Sequence, residues 1–193
     1  KKSKLNLKYI YESYFLENKY SKETSSFWRK YGDFQKVETN SEDYKLKGVM
    51  FGDFEERSFF NIVKNIPTII YLKKLLKNCN KDLVNNIYWV AKKSGRRFSY
   101  DCARQALTIN KLRQTLGNID SKVFCIIGDG YGFLGSMIKK TFPKTRVIYI
   151  NLGRTLFFDL YYSQKIFPNL KHNIIKNSKD KFSKDFNYIE AEK

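Results

Sequence analysis

Val123-Phe124-Cys125-Ile126-Ile127-Gly128-Asp129-Gly130-Tyr131-Gly132 decides the fold of this chain, because five apolar residues run straight into three glycines at alternate positions. An unbroken apolar run of that length predicts a strand buried on both faces of a parallel sheet, since a half-solvated strand would alternate apolar and polar. The glycines permit a tight turn and close approach of a ligand to the backbone. A helix starting there offers free amides that favour polar or anionic groups.

Downstream, Phe133 to Phe142 predicts a short helix, Pro143-Lys144 a turn, and Arg146 to Ile150 a second apolar strand. Arg154 to Phe167 predicts a further helix closed by Pro168, with a third strand at Asn173-Ile174-Ile175 or Tyr188-Ile189. Strand, helix, strand, helix, strand is a doubly wound α/β unit. Two or three parallel strands would leave edges and faces unpaired, and the chain begins without Met, so the sheet is expected to be incomplete within residues 118–193.

Upstream, residues 1–117 are expected to form a helical amino-terminal region. Ile10, Tyr14 and Leu16 suggest a short helix in an aromatic stretch that needs a surface to lean on, and the Ser and Thr residues of 21–26 suggest a cap or turn. Phe54 to Lys64 and Thr68 to Asn78 carry helical spacing around Pro67. Leu83 to Val90 fits strand or helix. Ser99 is placed to cap a helix to Leu116, with Cys102, Ala103, Ala106, Leu107, Ile109 and Leu112 inward and Gly117-Asn118 at its end.

The net charge of +18 comes mostly from lysines spread along the chain, with only eight arginines. A dispersed lysine surface is favoured over a nucleic-acid or anionic-membrane partner, which would gather its charge into one block. Three cysteines without CxxC spacing argue against a disulfide framework and a zinc site, and are expected to be reduced and mostly buried. No apolar run approaches the roughly 20 residues that span a bilayer, and the basic start lacks a signal peptide's apolar core. A cytoplasmic location is expected.

The glycine spacing separates cofactor classes. A dinucleotide fingerprint GxGxxG would place its third glycine at 133, where Phe133 stands, and no GK[ST] follows to make a phosphate loop. The pattern GxGxG is similar to the first motif of methyltransferases that use S-adenosylmethionine (SAM). Beyond the loop, Gly128 to Pro168 closely resembles the sugar O-methyltransferase family, on the IGDGYGFLG segment, Phe142-Pro143, the segment Asn151-Leu152-Gly153-Arg154-Thr155-Leu156, Tyr161-Tyr162 and Phe167-Pro168. The resemblance implies a Rossmann-like methyltransferase sheet, SAM as cofactor and a saccharide or glycan acceptor. It implies cofactor contacts at Gly128, Asp129, Gly130, Tyr131, Gly132, Asn151 and Leu152.

Two positions depart from the usual pattern. Ile126 stands where many methyltransferases have an acidic residue two before the first glycine, and Asn151 stands where an acid at the end of the second strand accepts both ribose hydroxyls. Asp129 could meet the cofactor's ammonium or cap the following helix. Tyr131 could cover the cofactor or pack at the loop edge, and Arg154 and Thr155 could border the adenosine. His172 reads as a surface residue rather than a base. Asp180 with Asp185, and Glu190 with Glu192, read as solvated acids without magnesium spacing. Arg96, Arg97 and Arg104 could contact a cofactor carboxylate or an anionic sugar but read rather as a basic turn and helix face, and Tyr88, Trp89 and Tyr100 could stack on a sugar ring but read rather as core aromatics. No catalytic base is identified. The alternative function is a degenerate Rossmann-like domain serving as a basic binding module.

Overall fold

The computed structural model describes residues 6–16, 36–39, 44–47, 66–96, 98–117 and 119–191. The expected helix at Phe54 to Lys64, the turn at 21–26 and Arg97 lie outside them. At the amino end α1 (Leu7–Ile10), capped by Asn6, continues as a π-helical segment Tyr11–Leu16. Strands β1 (Lys36–Thr39) and β2 (Tyr44–Lys47) pair antiparallel. Helices α2 (Ile66–Leu75), α3 (Lys81–Ser94) and α4 (Tyr100–Leu116) follow. Then come β3 (Val123–Ile127), α5 (Phe133–Thr141), β4 (Arg146–Asn151), α6 (Gly153–Ile166), β5 (His172–Ile175) and β6 (Phe186–Glu190).

The ambiguous segment at Leu83 is a helix because Asn80 caps it: its side chain accepts from the Asp82 and Leu83 amides, and Gly95, at φ +83, ends it. Leu83, Ile87, Val90 and Ala91 then share one buried face. Ser99 caps α4 as its sequence predicts, accepting from the Cys102 amide. Leu107 nevertheless points outward and Leu112 is only half-buried, because the buried face of α4 narrows to Cys102, Ala103, Ala106 and Ile109.

The four strands β3 to β6 form one parallel sheet in the order β3-β4-β6-β5, an α/β arrangement compatible with a Rossmann-like fold. Both candidate third strands are present. Alternation sends Ile126, Val147, Tyr149, Phe186 and Tyr188 to one face, where α5 and α6 pack, with α3 laid over those two helices. β3 is therefore not buried on both faces. Among the described residues it pairs with β4 alone, and its second face leaves Val123 56% and Ile127 79% exposed with Cys125 between them. The expectation of mostly buried thiols fails at Cys125 for the same reason, while Cys102 is buried in α4.

The amino-terminal aromatics find their surface on α6. Tyr11 and Phe15 stand 5.5 and 5.9 Å from Phe157, Phe15 lies 5.6 Å from Phe158, and Tyr44 of β2 meets Phe157 edge-on at 5.5 Å. This is why Leu156 to Tyr162 is buried without a break: β4 and β6 take one side of α6 and the amino-terminal segment takes another. No described helix is long and apolar enough to cross a membrane.

Candidate functional site

The glycine loop joins β3 to α5 at the carboxyl edge of the sheet, where parallel α/β proteins bind ligands. Gly128, Gly130 and Gly132 all have positive φ, at +75, +81 and +60. Gly128 is tied to the next strand by its amide, which donates to the Ile150 carbonyl at 3.0 Å. Nothing lies within 4 Å of where a Cβ on Gly128 would stand, so this glycine faces open space. Gly132 is the opposite case: a Cβ would sit 2.5 Å from both the Asp159 carbonyl oxygen and the Ser163 hydroxyl.

Two carboxylates of the chain itself take the loop's amides. Asp129 caps α5, with Oδ1 accepting from the Leu134 amide at 3.2 Å and Oδ2 from the Gly135 amide at 3.1 Å. Asp159, in the middle of α6 and fully buried, accepts from the Gly132 amide at 2.8 Å and from the Gly130 amide. Its Oδ2 also accepts from Asn151 Nδ2 at 2.8 Å. Sequence reasoning missed Asp159. The signal was a single acid inside Leu156-Phe157-Phe158-Asp159-Leu160-Tyr161-Tyr162, because a charge in an apolar helix run needs a buried partner.

Burial pushes the Asp159 carboxyl well above the ordinary carboxylate range, and the charge of Asp129 adds to the shift. Burial also raises Asp129 to about 6, against the pull of the Gly135 and Leu134 amides and the Arg96 guanidinium. A carboxyl raised in the folded state contributes stability at low pH that is lost as pH rises through its folded value. For Asp129 that window runs from its ordinary 3.8 to about 6. Asp129→Asn is therefore expected to gain stability relative to wild type as pH rises from 4 to 7, read from urea midpoints at each pH. A wild-type-minus-variant difference that stays flat across this range would sink the assignment.

Asn151 is committed inside the protein. Besides donating to Asp159, its Oδ1 accepts from the Leu152 amide at 2.9 Å. Leu152 is the half-buried residue that opens α6. Tyr131 packs at the loop edge, 6.3 Å from Phe158 and 6.4 Å from Tyr162. Arg154 stacks its guanidinium 4.5 Å over Phe15, so it joins the amino-terminal segment to α6, and Thr155 is buried near Gly130.

Arg96 is no solvated turn residue. It is buried, with its guanidinium 4.5 Å over Phe133, 5.5 Å over Tyr131 and 3.4 Å from Asp101. Arg104 stays exposed on the other oxygen of Asp101. Of the three candidate aromatics, Trp89 packs on Phe167, Tyr88 stacks on Phe98, and Tyr100 lies mostly in solvent.

Three further readings change. His172 is not a surface residue: it stacks 5.0 Å from Phe186, Nε2 lies 3.0 Å from the Phe167 carbonyl and Nδ1 2.7 Å from the Tyr188 hydroxyl. A carbonyl only accepts, so Nε2 carries the proton and Tyr188 donates to Nδ1. Burial lowers its basicity, partly offset by that carbonyl and by Asp185. Asp185 is buried in an ion pair with Lys139 at 2.8 Å; burial raises its carboxyl, but the Lys139 hydrogen bond and the Lys171 amide outweigh this and lower it. Glu190 is 6% exposed at the end of β6, beside a cavity that Tyr14, Ile175 and Phe182 also line. Among the described residues no group of three or more His, Cys, Asp or Glu stands together to hold a metal.

The chain matches no protein-family model, no curated protein and no solved structure.

Proposed function

We propose that this chain is the cofactor-binding part of a SAM-dependent methyltransferase that acts on a sugar hydroxyl. The observation that supports a cofactor without pyrophosphate is the use already made of the glycine loop. The amides of Gly130, Gly132, Leu134 and Gly135, which would cradle phosphate oxygens in a dinucleotide site, are given to Asp159 and Asp129. Asp159 lies wholly buried behind the loop, and Asp129, whose carboxyl is raised to about 6 and so is ionised at neutral pH, repels a phosphate and attracts a cation. SAM carries its positive charge on the sulfur, and when bound it supplies an electrophilic methyl group there. Gly128, Tyr131 and Leu152 would border it, with Gly128 open to the ligand side. The sugar acceptor follows from the family resemblance of Gly128 to Pro168.

Titration of the chain with SAM and separately with NAD tests this reading. SAM is expected to saturate and NAD not to bind. Gly128→Ala adds a methyl into open space at positive φ, costing roughly 1–2 kcal/mol of stability. It is expected to leave the chain folded and to weaken SAM by about tenfold or more, the effect of a misplaced contact worth about 1.4 kcal/mol. NAD binding without SAM binding would overturn the proposal.

The second reading, a binding module without catalysis, is favoured by the full commitment of Asn151 to Asp159 and Leu152. A folded chain that binds neither ligand would support it.

A further inference from the structure

We propose that the groove between α2 and α4 docks on an anionic lipid surface, its leucine and tyrosine side chains entering the lipid and its lysines meeting the headgroups. The glycine loop and its carboxylates take no part in this contact.

Between Ile66 and Asn80, and again between Cys102 and Ile119, the chain has no Asp or Glu. The same two stretches hold Lys73, Lys74, Lys77, Arg104, Lys111 and Arg113. Asp101, the acid in the first turn of α4, is already held by Arg96 and Arg104. Lysines that are dispersed along the sequence are thus gathered where α2 packs on α4. Apolar side chains gather in the same place. Of the twelve large apolar residues that stand exposed among the described residues, six are Ile66, Ile70 and Tyr71 of α2 and Tyr100, Leu107 and Leu116 of α4. Exposed apolar residues scattered singly need no explanation, but a concentration of them rimmed by charge marks a contact surface.

Tyr100, Arg104, Leu107 and Lys111 stand at i, i+4, i+7 and i+11, one line along α4 that alternates apolar bulk with positive charge. Beside that line Thr108, Leu112, Leu116 and Leu75 of α2 complete a groove of about 520 Å³. On α2, Tyr71, Lys74 and Leu75 share one side of the helix, so the alternation continues across the groove. Apolar, hydroxyl and cationic side chains line it, and no carboxylate does. An anionic lipid surface satisfies both kinds of group at once: phosphates lie at the level of the charges and acyl chains just below them. The long stems of Lys and Arg let their heads reach the phosphates while neighbouring leucines sink into the lipid. A nucleic acid would meet the charges but leave the leucines in water, and a neutral apolar partner would desolvate Lys74 and Lys111 without pairing them. No described helix is long and apolar enough to cross a membrane, so the contact lies at the lipid surface.

The test is flotation of the 193-residue chain with vesicles of phosphatidylcholine alone and of equal parts phosphatidylcholine and phosphatidylglycerol. Wild type is expected to bind the mixed vesicles and not the neutral ones. A chain of net charge +18 is drawn to any anionic surface, so the location is read from paired variants. Lys74→Glu with Lys111→Glu is expected to weaken binding roughly twenty-fivefold or more, at about fivefold for each lysine lost from the lipid surface. Lys179→Glu with Lys181→Glu makes the same charge change between β5 and β6 and is expected to cost less than about fivefold. Leu107→Ser with Leu116→Ser leaves the charge alone and is expected to weaken binding roughly tenfold or more. Both leucines are exposed, so the melting temperature should hold. If the Lys74 and Lys111 pair does not fold, the serine pair decides. The proposal is overturned if wild type ignores the mixed vesicles, if the two charge pairs lose equally, or if the serine pair binds as wild type does. Binding of a DNA duplex or of free dodecanoate without vesicle binding would also overturn it, in favour of a nucleic acid or a soluble amphiphile.

Discussion

Gly132→Ala is expected to lower the stability of the chain by roughly 2–5 kcal/mol, a large part of the roughly 5–15 kcal/mol that holds a domain together. Two costs add. The left-handed backbone at φ +60 costs a residue with a Cβ about 1–2 kcal/mol. The Cβ also enters space held by the Asp159 carbonyl oxygen and the Ser163 hydroxyl, both 2.5 Å away, and overpacking costs roughly 1–3 kcal/mol. Neither neighbour can yield easily. The carbonyl belongs to the backbone of α6, and the Ser163 hydroxyl is tied to that carbonyl and to the Tyr149 hydroxyl at 3.2 Å. Gly128→Ala carries only the first cost, because nothing stands within 4 Å of its Cβ position. Urea midpoints at unchanged m-value would show the difference. If the two variants lost equal stability, α6 would not be packed against the loop as described.

The same contrast explains what the sequence could reveal. The strand, glycine loop and helix were legible because Val123 to Ile127 and Gly128 to Gly132 are local signals. Ser99 likewise sets its helix start through an amide three residues away, whereas the equally local cap at Asn80 went unread and left Leu83 to Val90 ambiguous. The exposure of Val123 and Ile127 was not legible. Whether an apolar strand is covered on its second face depends on elements distant in sequence, and β3 looks the same as a central strand when read alone. The antiparallel pairing of β1 with β2 escaped for a related reason, since Lys36–Thr39 and Tyr44–Lys47 are short and rich in charge.

At the site, residue types were legible and their partners were not. Asp129 was placed in the loop with capping as one of its two readings, and the cap is what its carboxylate does. His172, Asp185 and Glu190 lie in lysine-rich surroundings that read as solvated surface, yet β5 and β6 carry all three into buried or half-buried positions. Each is fixed by a residue more than ten positions away or by register: His172 by Tyr188, Asp185 by Lys139, Glu190 by its pairing with Asn151. Asn151 itself looked like the loss of an acid. Opposite Asp159 it is the compatible choice, because its amide donates to a buried carboxylate that a second acid would repel.

That compatibility predicts a coupled pair. Asn151→Asp replaces the amide donor 2.8 Å from Asp159 Oδ2 with a second buried carboxyl, and the lost hydrogen bond with like groups left facing each other costs roughly 1–3 kcal/mol at neutral pH. The added carboxyl is raised in the folded state, so its penalty shrinks as pH falls and the variant is expected to recover stability in acid. Asp159→Asn sets two amide donors face to face, or turns its donor on the Gly132 amide, and leaves a buried group unsatisfied at roughly 1–3 kcal/mol. The exchange Asn151→Asp with Asp159→Asn restores a donor facing an acceptor: the amide now on α6 would donate to the carboxylate now on β4, and its oxygen would still accept from Gly132. The double variant is therefore expected to be more stable than the sum of the single losses by roughly 1–3 kcal/mol, at the strong end of coupling between touching residues. Additive losses would mean that the loop is held by Asp159 and its backbone amides alone. The exchange also returns an acid to the end of β4, so a ribose that uses this position should bind the double variant more tightly than wild type.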